Sequence, residues 1–215
     1  MKVINLLDVL GNSVKEEEQV EGMQAEEEEE EGEEEGPEYD EHVWLSLKNA
    51  KTLCSSIADA LCEIDSKNAD VYKKNLNEYT KNLDALDKEY QQVVNGAKYD
   101  TLVFGDRFPF RYMVDDYSLK YYAAFVGCSA ETEASFETIK FLANKVDELG
   151  VTTVLTIEDP KHKIAQTVVE NTKEKNQKIL ALNSMQSVTS DDVKSGATYL
   201  NVMQSNLDVL KQALN

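Results

Sequence analysis

Apolar residues recur along this chain with two different periods, and the change falls near residue 96. Before it the spacing is helical. Ala50, Leu53, Cys54, Ile57, Leu61 and Ile64 predict a helix over 47–64 with one apolar stripe. After a break at Asp65-Ser66-Lys67-Asn68, the positions Tyr72, Leu76, Tyr79, Leu83, Leu86, Tyr90 and Val93 alternate four and three without a slip. They predict a second helix over 69–94, about 40 Å long at 1.5 Å per residue. From Gly96 onward, β-branched and aromatic runs alternate with helical stretches. Strands are expected at 101–104, 119–125, 151–157 and 178–182, and helices at 110–116, 131–149, 162–173 and 199–214. Phe136, Ile139, Phe141, Leu142, Val146 and Leu149 are expected to face inward from the second of these helices, and Leu200, Met203, Leu207, Leu210 and Leu214 from the last. The continuous, β-branched run Val151–Ile157 fits a strand covered on both faces.

Such alternation predicts an α/β fold, a parallel-sheet lobe with helices on both faces. Parallel sheets place ligands at the carboxyl ends of their strands. The segments at those ends are Gly105-Asp106-Arg107, Gly127-Cys128-Ser129, Glu158-Asp159 and Asn183-Ser184. At the start of the chain, residues 3–7 read as a buried strand. A chain opening on a core strand is expected to be a truncated domain.

Charge changes this picture in one place. The 215 residues hold 41 acidic against 22 basic side chains, a net charge of -19. Sixteen of the acids lie between Glu16 and Glu41, where there is no Lys or Arg, and the remainder carries 25 acidic against 22 basic residues. Self-repulsion and scarce apolar surface predict disorder for about 15–41. The net charge excludes a simple nucleic-acid binder and opposes docking on anionic membranes. No apolar run reaches the length of a transmembrane helix, and the apolar part of the first residues is too short for a signal peptide.

Candidate chemistry is sparse. Cys54, Cys62 and Cys128 read as buried thiols, without a C-x-x-C pair. Cys54 and Cys62 lie too far apart on one helix for a disulfide. There are two histidines. His162, among Lys161 and Lys163, reads as a solvated surface residue. His42 stands between carboxylates in Asp40-Glu41-His42-Val43-Trp44, which is a zinc environment when the imidazole is oriented by an acid, and an ordinary surface position otherwise. The glutamate run could hold divalent cations weakly or act as a solvating linker. No phosphate loop and no nucleophile–base pair is visible, so no enzymatic activity is expected.

The segment Asp40-Glu41-His42-Val43-Trp44-Leu45-Ser46-Leu47-Lys48-Asn49-Ala50 resembles the D-x-H-x-W-L-S-P-x-N-A motif of the zinc-binding solute-binding proteins of bacterial metal ABC transporters. Phe104-Gly105-Asp106-Arg107-Phe108-Pro109-Phe110-Arg111-Tyr112 falls where that family has H-x-A-F-x-Y. Ser129 to Ser135 resembles the loop before its next helix. Tyr199, Met203, Asn206 and Leu207 resemble its closing Y-x-x-x-M-x-x-N-L helix. The resemblance implies a periplasmic metal-binding-protein-like fold with a long backbone helix and a partial second lobe. It divides the chain into 1–15, a remnant of the N-terminal lobe; 16–41, an acidic loop; 42–68, the end of that lobe; 69–95, the interlobe helix; and 96–215, the C-terminal lobe. It implies a metal site at His42, with Asp106, Glu41 and Asn183 as further donors, because the family's ligand histidine falls at Arg107 and its late aspartate at Asn183. Arginine cannot ligate a cation.

The resemblance also implies Zn²⁺ as cargo, with Mn²⁺ as the alternative metal, an ABC permease as partner, and an extracytoplasmic location. A second reading uses the lobe as a scaffold and the glutamate run as a dock for a basic partner. With an unpaired edge at residues 3–7 and part of helix 47–64 uncovered, the chain is also expected to self-associate.

Overall fold

The computed structural model describes residues 2–24, 38–129, 133–158 and 161–215. A short helix α1 (Leu6–Leu10) is followed, past the acidic segment, by α2 (Leu47–Ile64) and the 27-residue α3 (Ala69–Asn95). Then come β1 (Thr101–Phe108), α4 (Arg111–Asp116), β2 (Lys120–Val126), α5 (Phe136–Leu149), β3 (Thr153–Thr156), α6 (Lys163–Asn171), β4 (Lys178–Ala181), α7 (Ser190–Lys194) and α8 (Tyr199–Ala213). All four strands pair in parallel in the order β2-β1-β3-β4. The α/β lobe with helices on both faces is therefore as the alternation implies.

Alternation along β1 divides the core, because successive side chains point to opposite faces. Leu102 and Phe104 pack with Leu83, Leu86 and Tyr90 of α3 and with Met203, Leu207 and Leu210 of α8. Val103 faces the other way, toward Ile139, Leu142 and Val146 of α5 and Ala165 and Val168 of α6. Register with β2 slips between Phe104 and Arg107. Gly105 sits in that slip, where α6 comes so close that a Cβ would lie 2.5 Å from the Ala165 Cα. The slip turns the end of β1 and carries Asp106 toward β3.

α3 meets the sheet lobe chiefly through its second half. Leu83, Leu86 and Tyr90 are buried, and Tyr90 donates to the Met203 carbonyl at 2.6 Å. Tyr117 stacks on Tyr90 and donates to Asp87 at 2.9 Å. The first half of α3 runs beside the end of α2, and there Ile57, Leu61, Ile64 and Val71 are exposed. The apolar stripe of α2 is thus only partly used: Ala50, Leu53, Ala58 and Ala60 are buried, but Ile57, Leu61 and Ile64 stay exposed.

Two expectations fail on local grounds, and one helix is additional. Residues 3–7 are not a strand. Asn5 accepts from the Leu7 and Asp8 amides and starts α1 instead, and Val3 stands in solvent. A side-chain cap outweighs β-branched propensity where no neighbouring strand offers a partner. Phe136 is 71% exposed, because it occupies the first turn of α5 directly after the Ser135 cap, outside the face that meets the sheet. α7 was signalled by Thr189-Ser190-Asp191-Asp192, a reciprocal capping box that periodicity alone does not register. The Glu131 start of the predicted helix lies outside the described residues.

Gly105→Ala should cost about 1–3 kcal/mol, since backbone rather than a flexible side chain occupies the space. A urea unfolding midpoint unchanged from wild type would refute the close β1–α6 packing.

Candidate metal centre

His42 is buried, 1% exposed, in the turn before α2. Two contacts with Asp40 Oδ1 fix it there: the His42 amide donates at 2.8 Å, and ring Nδ1 lies at 3.0 Å. Asp40 is itself buried. A carboxylate at Nδ1 holds the proton on that nitrogen and leaves the Nε2 lone pair outward, the arrangement that prepares a histidine to ligate a metal. Gly127, just after β2, lies against the ring, so that a Cβ there would stand 2.9 Å from His42 Cε1. The Trp44 ring flanks the imidazole at 5.5 Å.

Asp40 is placed by a strap that the charge pattern does not predict. Residues 15–24 are laid across the lobe instead of being disordered. Glu16 bridges Tyr39, Glu17 N donates to Glu38 O at 2.9 Å, and Asp40 N donates to Lys15 O at 2.9 Å. Tyr112 of α4 joins the two segments, accepting from Lys15 N at 3.1 Å and donating to Asp40 O at 2.8 Å. Further on, Gln24 N donates to Ala124 O at 2.9 Å and covers part of the edge of β2. Glu18 pairs with Arg111 at 3.1 Å. The run from 25 to 37 lies outside the described residues.

The second half of the site is the loop after β4. The Ser184 amide and hydroxyl both donate to Glu158 at 2.7 Å, and Trp44 Nε1 donates to Ser184 O at 2.9 Å. This pins the loop beside His42. Gln186, two residues on, then brings its side-chain nitrogen to 2.6 Å from His42 Nε2. With the ring proton on Nδ1, the amide N–H is the donor and Nε2 accepts.

The other sequence-derived donors do not converge on His42. Asp106 Oδ2 accepts from the Thr156 hydroxyl and from Ile157 N at 3.3 Å, tying β1 to the end of β3. Its other oxygen accepts from Arg107 N at 2.8 Å. Arg107 donates to the Ser129 carbonyl at 3.1 Å. Asn183 Oδ1 accepts from Met185 N at 2.8 Å, and its backbone amide and carbonyl pair with the Asn206 side chain at 2.8 and 2.9 Å. Glu41 is exposed and contributes a backbone carbonyl to the Val43 turn. Among the described residues no group of three or more His, Cys, Asp or Glu side chains is assembled to hold a metal. Gln186 stands beyond Asn183-Ser184, the residues that the end of the predicted strand marks as site candidates. Its signal was the same strand-end position.

Cys128 is exposed, not buried as expected, while Cys54 and Cys62 are half-buried. Its thiol is pushed up to about 11, first by local desolvation and then by Glu17, Glu41, Asp40 and Glu38. Four carboxylates therefore lie near the turn that follows β2. His162 is half-buried at the start of α6, in a left-handed backbone conformation, and is not the fully solvated residue expected.

The class of protein follows from the shape. A crystal structure of ZnuA matches the whole of this chain and 71% of its own with a TM-score of 0.75 at 20% identity, which gives the periplasmic metal-binding-protein fold. The chain belongs to the family described as the periplasmic component A of the zinc-uptake complex, matched over residues 2–213. It is 35% identical over 175 residues to the zinc-binding lipoprotein AdcA of Streptococcus pneumoniae, covering 81% of this chain and 34% of that protein. It is 29% identical to the high-affinity zinc uptake system protein ZnuA of Bacillus subtilis, covering 81% and 53%. The Zn(II)-bound ZnuA-like domain of S. pneumoniae AdcA matches with a TM-score of 0.67 at 31% identity, over 82% of this chain and 64% of that one. The chain thus spans about a third of the AdcA sequence and about half of the Bacillus one.

Asp40→Ala strands two buried donors of His42 and should destabilise the fold by about 1–3 kcal/mol, against less than about 0.5 kcal/mol for the exposed Glu41→Ala. Equal urea midpoints for the two variants would contradict the buried pair. At pH 8 the Cys128 thiolate should be on the order of a hundredfold scarcer than that of an ordinary thiol. Alkylation by iodoacetamide, followed by mass spectrometry, should be correspondingly slow and should accelerate as pH rises toward 11.

Proposed function

We propose that this chain belongs to an extracytoplasmic receptor that captures Zn²⁺ and passes it to the permease of an ABC uptake system. The observation that carries this reading is the orientation of His42: a buried imidazole whose Nδ1 is held by Asp40 and whose Nε2 faces the loop at the end of β4. The relatives named as zinc-binding proteins support the same cargo. Imidazole nitrogen suits borderline Zn²⁺ better than Mn²⁺, which favours oxygen donors.

In this reading His42 Nε2 is the primary ligand. Asp106 and Asn183 shape the surroundings through the β1–β3 tie and the loop turn, and Glu41 adds negative charge at the mouth. The carboxylates of the strap raise the local cation concentration, as a cluster of one sign does over a few ångströms to a Debye length. One strong donor flanked by a negative rim predicts lower affinity than a complete set of imidazoles and carboxylates would give.

A calorimetric Zn²⁺ titration should yield one-site binding that is lost in His42→Ala and survives deletion of residues 26–35, which leaves the strap in place. Weak multi-site binding lost with the deletion alone would instead support the acidic scaffold and its basic partner. Mn²⁺ in the same titration should bind more weakly than Zn²⁺.

A further inference from the structure

One lone pair is left on His42 once Nδ1–H is given to Asp40, and it is already in use. Gln186 Nε2 stands 2.6 Å from it, with a carboxamide that can meet Nε2 only as a donor. An N–H and a metal cation cannot share that lone pair. We infer that Gln186 is a latch on the metal-free site, and that metal capture at His42 requires its side chain to be displaced. This inference rests on the reading of His42 as a zinc ligand.

The loop is built so that the side chain moves and its root does not. Ser184 is buried and held three ways, by two bonds to Glu158 and one from the Trp44 indole. Asn183 is locked to the buried Asn206 by a reciprocal amide pair. Met185 adopts φ +63°, which throws the next residue back toward His42. Gln186 itself is exposed, so when it leaves, its carboxamide can exchange for water both the bond to His42 and the weaker one that its Oε1 accepts from the Ser184 hydroxyl at 3.1 Å. His42 has no such alternative. At 1% exposure, an Nε2 without a partner would be an unsatisfied buried acceptor. The latch satisfies it until a cation arrives, and it also raises the threshold for capture.

The test uses the full chain and Zn²⁺ alone. Zinc affinity is measured by competition with a chromophoric chelator for wild type, Gln186→Ala and Gln186→Met, the last keeping the bulk without a donor. In parallel, long-range ¹H–¹⁵N spectra of the metal-free proteins report the His42 ring nitrogens. Both variants should bind zinc roughly two- to tenfold more tightly, the worth of one net hydrogen bond. The Nε2 resonance should move toward that of an unbonded ring nitrogen. Weaker binding in both variants would make Gln186 a ligand and overturn the latch, and so would unchanged affinity or an unchanged Nε2 resonance. His42→Ala separates the two ideas. If it retains wild-type zinc affinity, the metal reading fails. If it loses zinc while the Gln186 variants match wild type, only the latch fails.

Discussion

Burying an imidazole without solvent requires a partner for each ring nitrogen, and the Asp40 carboxylate decides how this one is shared. By taking Nδ1–H it aims Nε2 outward, and by taking the His42 amide it fixes the backbone of the turn. The turn in turn directs Ser46, whose hydroxyl caps α2 at Asn49 N and donates to Asp116 at 2.6 Å. Lys48 lies within 3.5 Å of the same Asp116 carboxylate, which is held above the usual range by burial. One short segment therefore orients the candidate ligand and starts the helix that carries the chain away from the sheet.

The acidic charge serves two purposes that composition alone cannot separate. Part of it is structural: Glu18 is matched by Arg111 and by the Tyr121 hydroxyl, and the backbone around Glu16 and Glu17 pairs with residues 38–40. Glu17, Glu41, Asp40 and Glu38 also place negative charge near Cys128. That division explains how a segment of mostly like charge can still position a buried carboxylate. Its ordered part supplies backbone pairing and a few apolar anchors, Val20 and Met23, against the core.

Periodicity made the lobe legible. All four strands and the long helix lie where alternation and the four–three spacing put them, because burial on both sheet faces forces apolar runs at Leu102–Phe104 and Val154–Leu155. The family motif made His42 legible. What stayed hidden depends on contacts between distant segments. Asp106 has the chemistry of a ligand, yet Thr156 and Ile157 claim it, and no spacing in the chain announces that. Asn183 reads as a donor at a strand end but is consumed by its own turn. Gln186 is an unremarked polar residue until the Ser184–Glu158 anchor brings it to the imidazole. Residues 3–7 misled because strand propensity says nothing about whether a neighbouring strand exists.

The two halves of the site lie far apart in the sequence. His42 and Gln186 are separated by 144 residues, and Trp44 reaches Ser184 across 140. Closing loops of that size is entropically costly and comes late, since local helices and the β1–β2 and β3–β4 units form from nearer contacts. A nascent or partly denatured chain therefore exposes the histidine without its surroundings. If zinc is held at His42 as proposed, occupancy of this centre becomes a reporter of completed tertiary structure, since a chain still folding offers dissolved metal only an unoriented imidazole and scattered carboxylates.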